Sequence, residues 1–250
     1  MLWGSTDKEC TGIVTTIYPS VEVIKKAHEL GANLIITHES CFWNHGDHTE
    51  WLKDNVSFQM KSALLDEYDI TVWRDHDYIH SKINLHGEYV DGIYYGLATE
   101  LGWLDYVVED PTKPNMFEIP ETPAMDVAKH FMNVLGLKGM KTMGDLTGTS
   151  RKVMFAFHLI GLRDNEILKE IEEKNVDTVL TMEITDYTVA IYVRDSAQLG
   201  RGKRIFNPGH FNIEEPGMKW FGEVYLNELI PEVKSTFIKA GDSYTMLINE

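Results

Sequence analysis

Apolar positions along this chain alternate between two spacings. GIVTTI (12–17) and NLIIT (33–37) are short β-branched runs of the kind that fill a buried strand. Between them Val21, Ile24 and Ala27 recur at the three-to-four spacing of one helix face, with Ser20 ahead as an N-cap and Gly31 behind as a stop. The alternation continues, so that SFQMKSALLDEY predicts a second helix and DITVWR (69–74) a third strand. Strands separated by helices predict crossover units and a mainly parallel sheet.

Residues 75–90 predict a loop rich in His and Asp, and DGIYYGLATELGW (91–103) a helix with Ile93, Leu97 and Leu101 in register. The Pro-rich stretch DPTKPNMFEIPETP (110–123) reads as a domain junction, and Thr122 with Pro123 as the start of the next helix. KVMFAFHLIG (152–161), a helix from Asp164 to Lys174 and DTVLT (177–181) repeat the strand–helix–strand plan. TDYTVAIYVRDSAQLG has the β-branched content of a strand and the length of a helix, and we assign it as helix. RIFNPGH reads as a strand running into a turn, and PGMKWFGEVYLNEL (216–229) as an amphipathic helix. The expected fold is α/β, two related lobes with mainly parallel or mixed sheets flanked by helices. Residues 1–115 form the first lobe, 116–205 the second, and 206–250 a C-terminal segment.

Composition narrows the function. With 250 residues and 43% hydrophobic content the chain can bury real cores. Its net charge of −16 argues against nucleic-acid binding, which needs cationic surface to meet phosphates. The same excess leaves many carboxylates available to hold cations. Two cysteines, Cys10 and Cys41, make no disulfide framework and point to a reducing, cytoplasmic setting. MLWGSTDKEC lacks the features of a signal peptide, and no apolar run reaches the roughly 20 residues that cross a bilayer.

The ten histidines are unevenly spread. His38, His45, His48, His76, His80 and His86 all fall within residues 38–86, mostly after expected strands. In open α/β sheets ligands gather beyond the carboxyl ends of strands. His38 and Glu39 follow one such end, and His76 and His80 another. His210 and Glu214 repeat the spacing of four after a third. Imidazole with carboxylate suits Zn, Mn, Fe, Co or Ni, and five or six such groups exceed the need of one catalytic ion, so a two-metal site is expected. Asp75 and Asp77 are candidates to orient imidazoles, or solvated loop charges. His45 and His48 in NHGDH read as a polar turn, and His28, His130 and His158 as packing or surface residues. Cys41 reads as an inert thiol. The HExxH zinc motif, the G-x-S-x-G elbow and the Walker loop are all absent.

At these residues the chain resembles the Nif-three-like dinuclear metal centre family, often labelled as a type-two GTP cyclohydrolase I. PSVEVIKKAHELGANLIITHES is similar to the family's helix and strand leading to a His-His-Pro motif, and RDHDYIH to its His with an Asp four residues on. DGIYYGLATELGW, DTVLTMEITDY and NPGHFNIEEPGMKW resemble later family segments. The resemblance implies that His38, His210 and Glu214 are metal ligands. Glu39 stands where the family has a second His, and His80 where it has a bridging Asp, which reads as an exchange of the two ligand types. His76 falls on the motif's other His, as a ligand or as a group orienting one. The resemblance further implies a short form without a central insert, a metal site between the lobes and a toroidal homohexamer.

The leading expectation is a dinuclear metal-dependent hydrolase. It would hold two divalent ions per subunit (Zn, Fe, Mn or Co) and use metal-activated water as the nucleophile on an unidentified small-molecule substrate. Glu183, ending DTVLTME, is a candidate acid–base or substrate-positioning group, with a plain surface carboxylate as the other reading. The alternative is a non-catalytic metal-carrying binding or regulatory protein.

Overall fold

A computed structural model describes residues 1–81 and 83–245 of the chain. The elements run β1 (Ile13–Thr16), α1 (Val21–Glu29), β2 (Leu34–Thr37), α2 (Val56–Glu67), β3 (Thr71–Arg74), α3 (Asp77–Ser81), β4 (Ile83–Leu85), β5 (Glu88–Val90) and α4 (Gly92–Leu101). They continue with β6 (Met116–Pro123), α5 (Ala124–Leu135), β7 (Lys141–Gly144), β8 (Thr149–Phe155), β9 (His158–Leu159), α6 (Asp164–Glu173) and β10 (Thr178–Leu180). Then follow β11 (Glu183–Ile184), α7 (Val189–Gln198), β12 (Arg204–Asn207), α8 (His210–Trp220) and β13 (Ser235–Phe237). The chain is α/β, as expected, with parallel and mixed sheets flanked by helices. It divides into two compact units, one of residues 1–96 and 217–243, the other built on residues 97–216.

The first unit is organised on a four-stranded sheet in the order β13-β1-β2-β3, every neighbouring pair parallel. Val14, Ile35 and Val72 bury one face of it against Val23, Ile24 and Ala27 of α1 and Leu65 of α2. Each such aliphatic contributes roughly 1.5–3 kcal/mol when fully buried. The helices start where the sequence signals it: the Ser20 hydroxyl accepts from the Val23 N–H, and the Asn55 side chain from the Phe58 N–H. Register then levels the strand ends, since Thr16 pairs with Thr37 and Thr37 with Arg74. The residues that follow therefore emerge side by side along one edge. In the same unit Gly217 of α8 lies against α4 so closely that an added Cβ would sit 2.5 Å from Ile93 Cα. Only glycine permits that approach.

The second unit carries a five-stranded sheet in the order β6-β8-β10-β12-β7. Its three inner strands are parallel, and both edge strands run antiparallel. Because side chains alternate along a strand, the two faces feed separate cores. Val153 and Phe155 join Phe117, Leu180 and Phe206 beneath Val127 and Phe131 of α5. Met154 joins Val179 and Ile205 on the other face, covered by Ile171 of α6 and by Val189 and Val193 of α7. Phe155, Leu180 and Phe206 lie in register, so this sheet also ends level. Arg204, 1% exposed, fastens the opposite end through bonds to the carbonyl oxygens of Asp145, Thr149 and Gly202 and to the Ser150 and Thr178 hydroxyls.

Four expectations need correction. Residues 75–90 are not a plain loop, since they fold into α3 and the β4–β5 hairpin. The Pro-rich stretch 110–123 is no junction: it lies inside the second unit, and its later half is β6, an edge strand where proline is tolerated. That strand runs through Pro123, so α5 starts one residue later than read. Finally, the helix expected from Pro216 starts six residues earlier, at His210, and holds Pro216 in its interior. An internal proline costs about 3 kcal/mol. Burial of Ile213 and Met218 outweighs that cost here.

Candidate metal sites

In the first unit, β2 hands on to His38 and β3 to Asp75 and His76, adjacent because the strands end level. The single turn of α3 then brings His80 back beside His76, its N–H 3.3 Å from the His76 carbonyl oxygen. The three rings form one group, with centroids 4.5 Å apart for His38–His76, 5.0 Å for His38–His80 and 5.2 Å for His76–His80. Their ligand atoms all lie within 4.8 Å of one another. Ligands about 2.0–2.2 Å from a shared ion are separated by at most about 4.4 Å, so small side-chain rotations close the site.

Each imidazole is also oriented. His38, fully buried, has Nδ1 3.3 Å from the Asp75 carbonyl oxygen. His76 Nδ1 lies 2.9 Å from Asp77 Oδ1, and His80 Nδ1 3.0 Å from Asp91 Oδ2. A carbonyl or carboxylate oxygen can only accept, so each contact puts the proton on Nδ1 and the lone pair on Nε2, the arrangement a metal-ligating histidine needs. Asp91 is itself buried and fixed, its Oδ1 accepting from the Ile93 and Tyr94 N–H groups at the head of α4. Burial pushes the Asp75 carboxyl up despite the opposing pull of His38. Burial likewise pulls His76 down, towards the neutral form that binds metals, against the hydrogen bond to Asp77.

Glu39 follows His38, its carboxylate within the same 4.8 Å ligand-atom limit of that imidazole, and its Oε2 also lies 3.8 Å from Arg74 Nη2 and 3.9 Å from His45 Nδ1. His45, read as part of a polar turn, has its ring 5.1 Å from that of His76. His48 and His86 are exposed. Cys41 is buried, and burial pushes its thiol up to about 11, which agrees with an inert cysteine.

The second unit assembles another cluster by the same device. β9 and β11 pair so that His158 sits opposite Glu183, and His210 opens α8 just past β12. Glu183 spans the two imidazoles, its Oε2 2.7 Å from His158 Nδ1 and its Oε1 hydrogen-bonded to His210 Nδ1. One helical turn along, the buried Glu214 places Oε2 3.1 Å from His210 Nε2. Burial opposes charge on both central groups, yet the pairing prevails. Hydrogen bonds from His158 and His210 hold Glu183 down at about 2, and those to Glu183 and Glu214 hold His210 up at about 10. His158, Glu183 and His210 meet the same 4.8 Å ligand-atom limit.

Within their units, then, the structure gathers His38, His76 and His80 in one cluster and His210 and Glu214, with Glu183, in another. Sequence reading missed His158, which it took for a packing or surface residue, and Asp91. The signal for Asp91 was present, since Asp immediately before GIYYG is a helix-cap pattern. His158 carries no local signal: its role comes from pairing with Glu183, 25 residues away. His28 stacks on Tyr68, and His130 lies on Trp103 with Nε2 2.9 Å from the Leu101 carbonyl oxygen, both packing roles as read. Several His/Glu groups of this chain could thus hold a metal ion. Among the described residues, no helix is long and apolar enough to cross a membrane.

Comparison with known proteins fits this geometry. The chain is 22% identical over 220 residues to a GTP cyclohydrolase 1 type 2 homolog of Clostridium perfringens, covering 86% of this chain and 78% of that protein. Among solved structures, ybgI, a protein of unknown function, aligns with a TM-score of 0.68 at 22% identity over 96% of this chain and 88% of its own. A Bacillus cereus protein related to NIF3 gives 0.68 at 15% identity over 98% and 91%. Reduced HcgD of Methanocaldococcus jannaschii gives 0.62 at 18% over 95% and 86%. These likenesses establish the fold. The sequence profile of Duf34/NIF3 (NGG1p interacting factor 3) matches residues 1–242, and the chain belongs to that family.

Proposed function

We propose that this protein is a dinuclear metal-dependent hydrolase acting on a small molecule. The observation that carries the reading is the triple orientation of His38, His76 and His80, each with its proton fixed on Nδ1 by a protein oxygen. Metal-ligating histidines characteristically donate their other ring N–H to a carboxylate or carbonyl oxygen in this way. The proposed ligands are His38, Glu39, His76 and His80 from the first unit and His210 and Glu214 from the second, where a bound ion would take the place of the proton that His210 Nε2 otherwise shares with Glu214. The family resemblance adds a dinuclear centre and a homohexameric, cytoplasmic protein.

When bound, divalent ions supply Lewis-acid polarisation and a water acidic enough to attack at neutral pH. The chain's own groups do the rest. Asp75, Asp77 and Asp91 hold the imidazoles in one orientation. Glu183, kept ionised at neutral pH by its two histidine partners, is too weak a base to take up a proton there and is instead the group placed to position a polar substrate.

Purified protein loaded with Zn, Mn, Fe or Co and assayed on phosphoesters, nucleotides and cyclic amides tests the reading. Turnover that disappears with chelation and with His38→Ala or Glu214→Ala supports it. Metal bound by those residues with no turnover across the panel replaces it with a metal-carrying binding protein.

A further inference from the structure

A cavity of about 510 Å³ opens in the first unit between α1 and α2, away from any proposed ligand in its lining. Lys25 contributes from α1, Ser57, Met60 and Lys61 from α2, and Tyr18 and Trp43 from the loops that follow β1 and β2. Its size is that of a small-molecule pocket.

The chemistry of the lining is unlike that of the chain around it. The protein carries a net charge of −16, yet two lysines and no aspartate or glutamate line this cavity. Lys61 is only 4% exposed, and its ammonium donates to the Cys41 carbonyl oxygen at 2.6 Å and to Tyr18 Oη at 3.2 Å. It lies 4.5 Å from the Tyr18 ring centroid and 5.3 Å from that of Phe42. Trp43 holds a left-handed backbone, φ 48°, and leaves its side chain 47% exposed at the cavity. A bulky residue in that conformation is unfavourable unless its surroundings impose it.

We propose that this cavity is a binding site for a small aromatic monoanion, with the ring against Trp43 and Met60 and the anionic group between Lys25 and Lys61. Aromatic faces and a sulfur supply the apolar contact, and the lysines supply charge-assisted hydrogen bonds. An apolar ligand without charge gains only the first of these. A cation meets two like charges.

The test uses the whole protein and two dyes with the same kind of body. Anilinonaphthalene sulfonate is the anionic aromatic probe, and N-phenyl-1-naphthylamine lacks its sulfonate. Calorimetry should show one sulfonate dye per chain, a raised melting temperature in its presence, and binding of the uncharged dye weaker by at least about tenfold. Lys61→Met should abolish the preference for the sulfonate. Lys25→Glu, on an exposed helix position, should weaken sulfonate binding by about tenfold or more without disturbing the fold, so the test survives if the buried variant does not fold. Equal binding of both dyes, binding unchanged in Lys25→Glu, or no saturable binding would overturn the proposal. So would sulfonate binding that falls as protein concentration rises, because a second copy of the chain would then be the true occupant.

Discussion

His80 Nδ1 lies 3.0 Å from Asp91 Oδ2, and the same carboxylate caps α4 through its other oxygen. One buried side chain therefore orients a candidate metal ligand and starts the helix behind it. The two roles separate by substitution. Asp91→Ala removes both, and should cost about 1 kcal/mol of stability from the lost cap together with 10–100-fold in metal affinity. Asp91→Asn keeps a good cap but presents an amide to the imidazole, so stability should hold while metal affinity falls. Thermal melts and calorimetric metal titrations on the two variants distinguish these outcomes.

Glu183 joins His158 to His210 within the second unit. Replacing it by Gln removes the charge that draws both rings together. Metal content contributed by His210 should fall in Glu183→Gln, while that of His38, His76 and His80 should stay. Elemental analysis of the variant, with and without His38→Ala added, checks this: losses that add indicate two ligand sets, and a loss that does not add indicates one.

The phenol of Tyr18 is pushed up to about 12, first by burial and then by the nearby Cys41, against the hydrogen bond from Trp43. Its ordinary value is about 10. The unfolded chain thus releases this proton before the folded one. The stability associated with neutral Tyr18 is complete below pH ~10 and is lost as pH rises towards about 12. Tyr18→Phe should flatten the alkaline side of the stability profile across that window. Denaturant midpoints measured from pH 8 to 12 provide the check, and parallel profiles for both proteins would count against it.

Arg204, 1% exposed, is held by carbonyl and hydroxyl oxygens and lies 3.3 Å from Asp177. Its bonds reach residues from 145 to 202, which ties the β8, β10 and β12 ends together. Arg204→Met leaves several of these acceptors buried without a donor. A loss of about 3–5 kcal/mol is expected, read from urea unfolding of the purified protein.

Much of this was legible in the sequence, and the reason is local. Short β-branched runs, a Ser20 cap and helix-spaced Ile24 and Ala27 specify β1, α1 and β2 through contacts between near neighbours, although Val21, read on the same face, is exposed and Val23 is buried instead. A histidine directly after such a run needs only the general rule about strand ends to become a candidate. What the sequence concealed depends on distant partners. The pairing of β9 with β11 that sets His158 against Glu183 has no local signature, and the residues of β9 read as a continuation of β8. The start of α8 at His210 was hidden by Pro216, a local signal that tertiary burial overrides. Asp91 was overlooked for another reason. Its cap pattern was plain, but nothing in the sequence placed it beside His80, 11 residues earlier.

The central claim is that oriented imidazoles in this chain hold metal. The most direct measurement is metal content by elemental analysis of the native protein and of a His38→Ala/His80→Ala variant, each confirmed folded by circular dichroism and paired with X-ray absorption at the metal edge. The account predicts about two ions per native chain with nitrogen and oxygen neighbours at roughly 2.0–2.2 Å, and loss of at least one ion in the variant. A native chain that folds and takes up no metal, or a variant that binds as much as the parent, would contradict it.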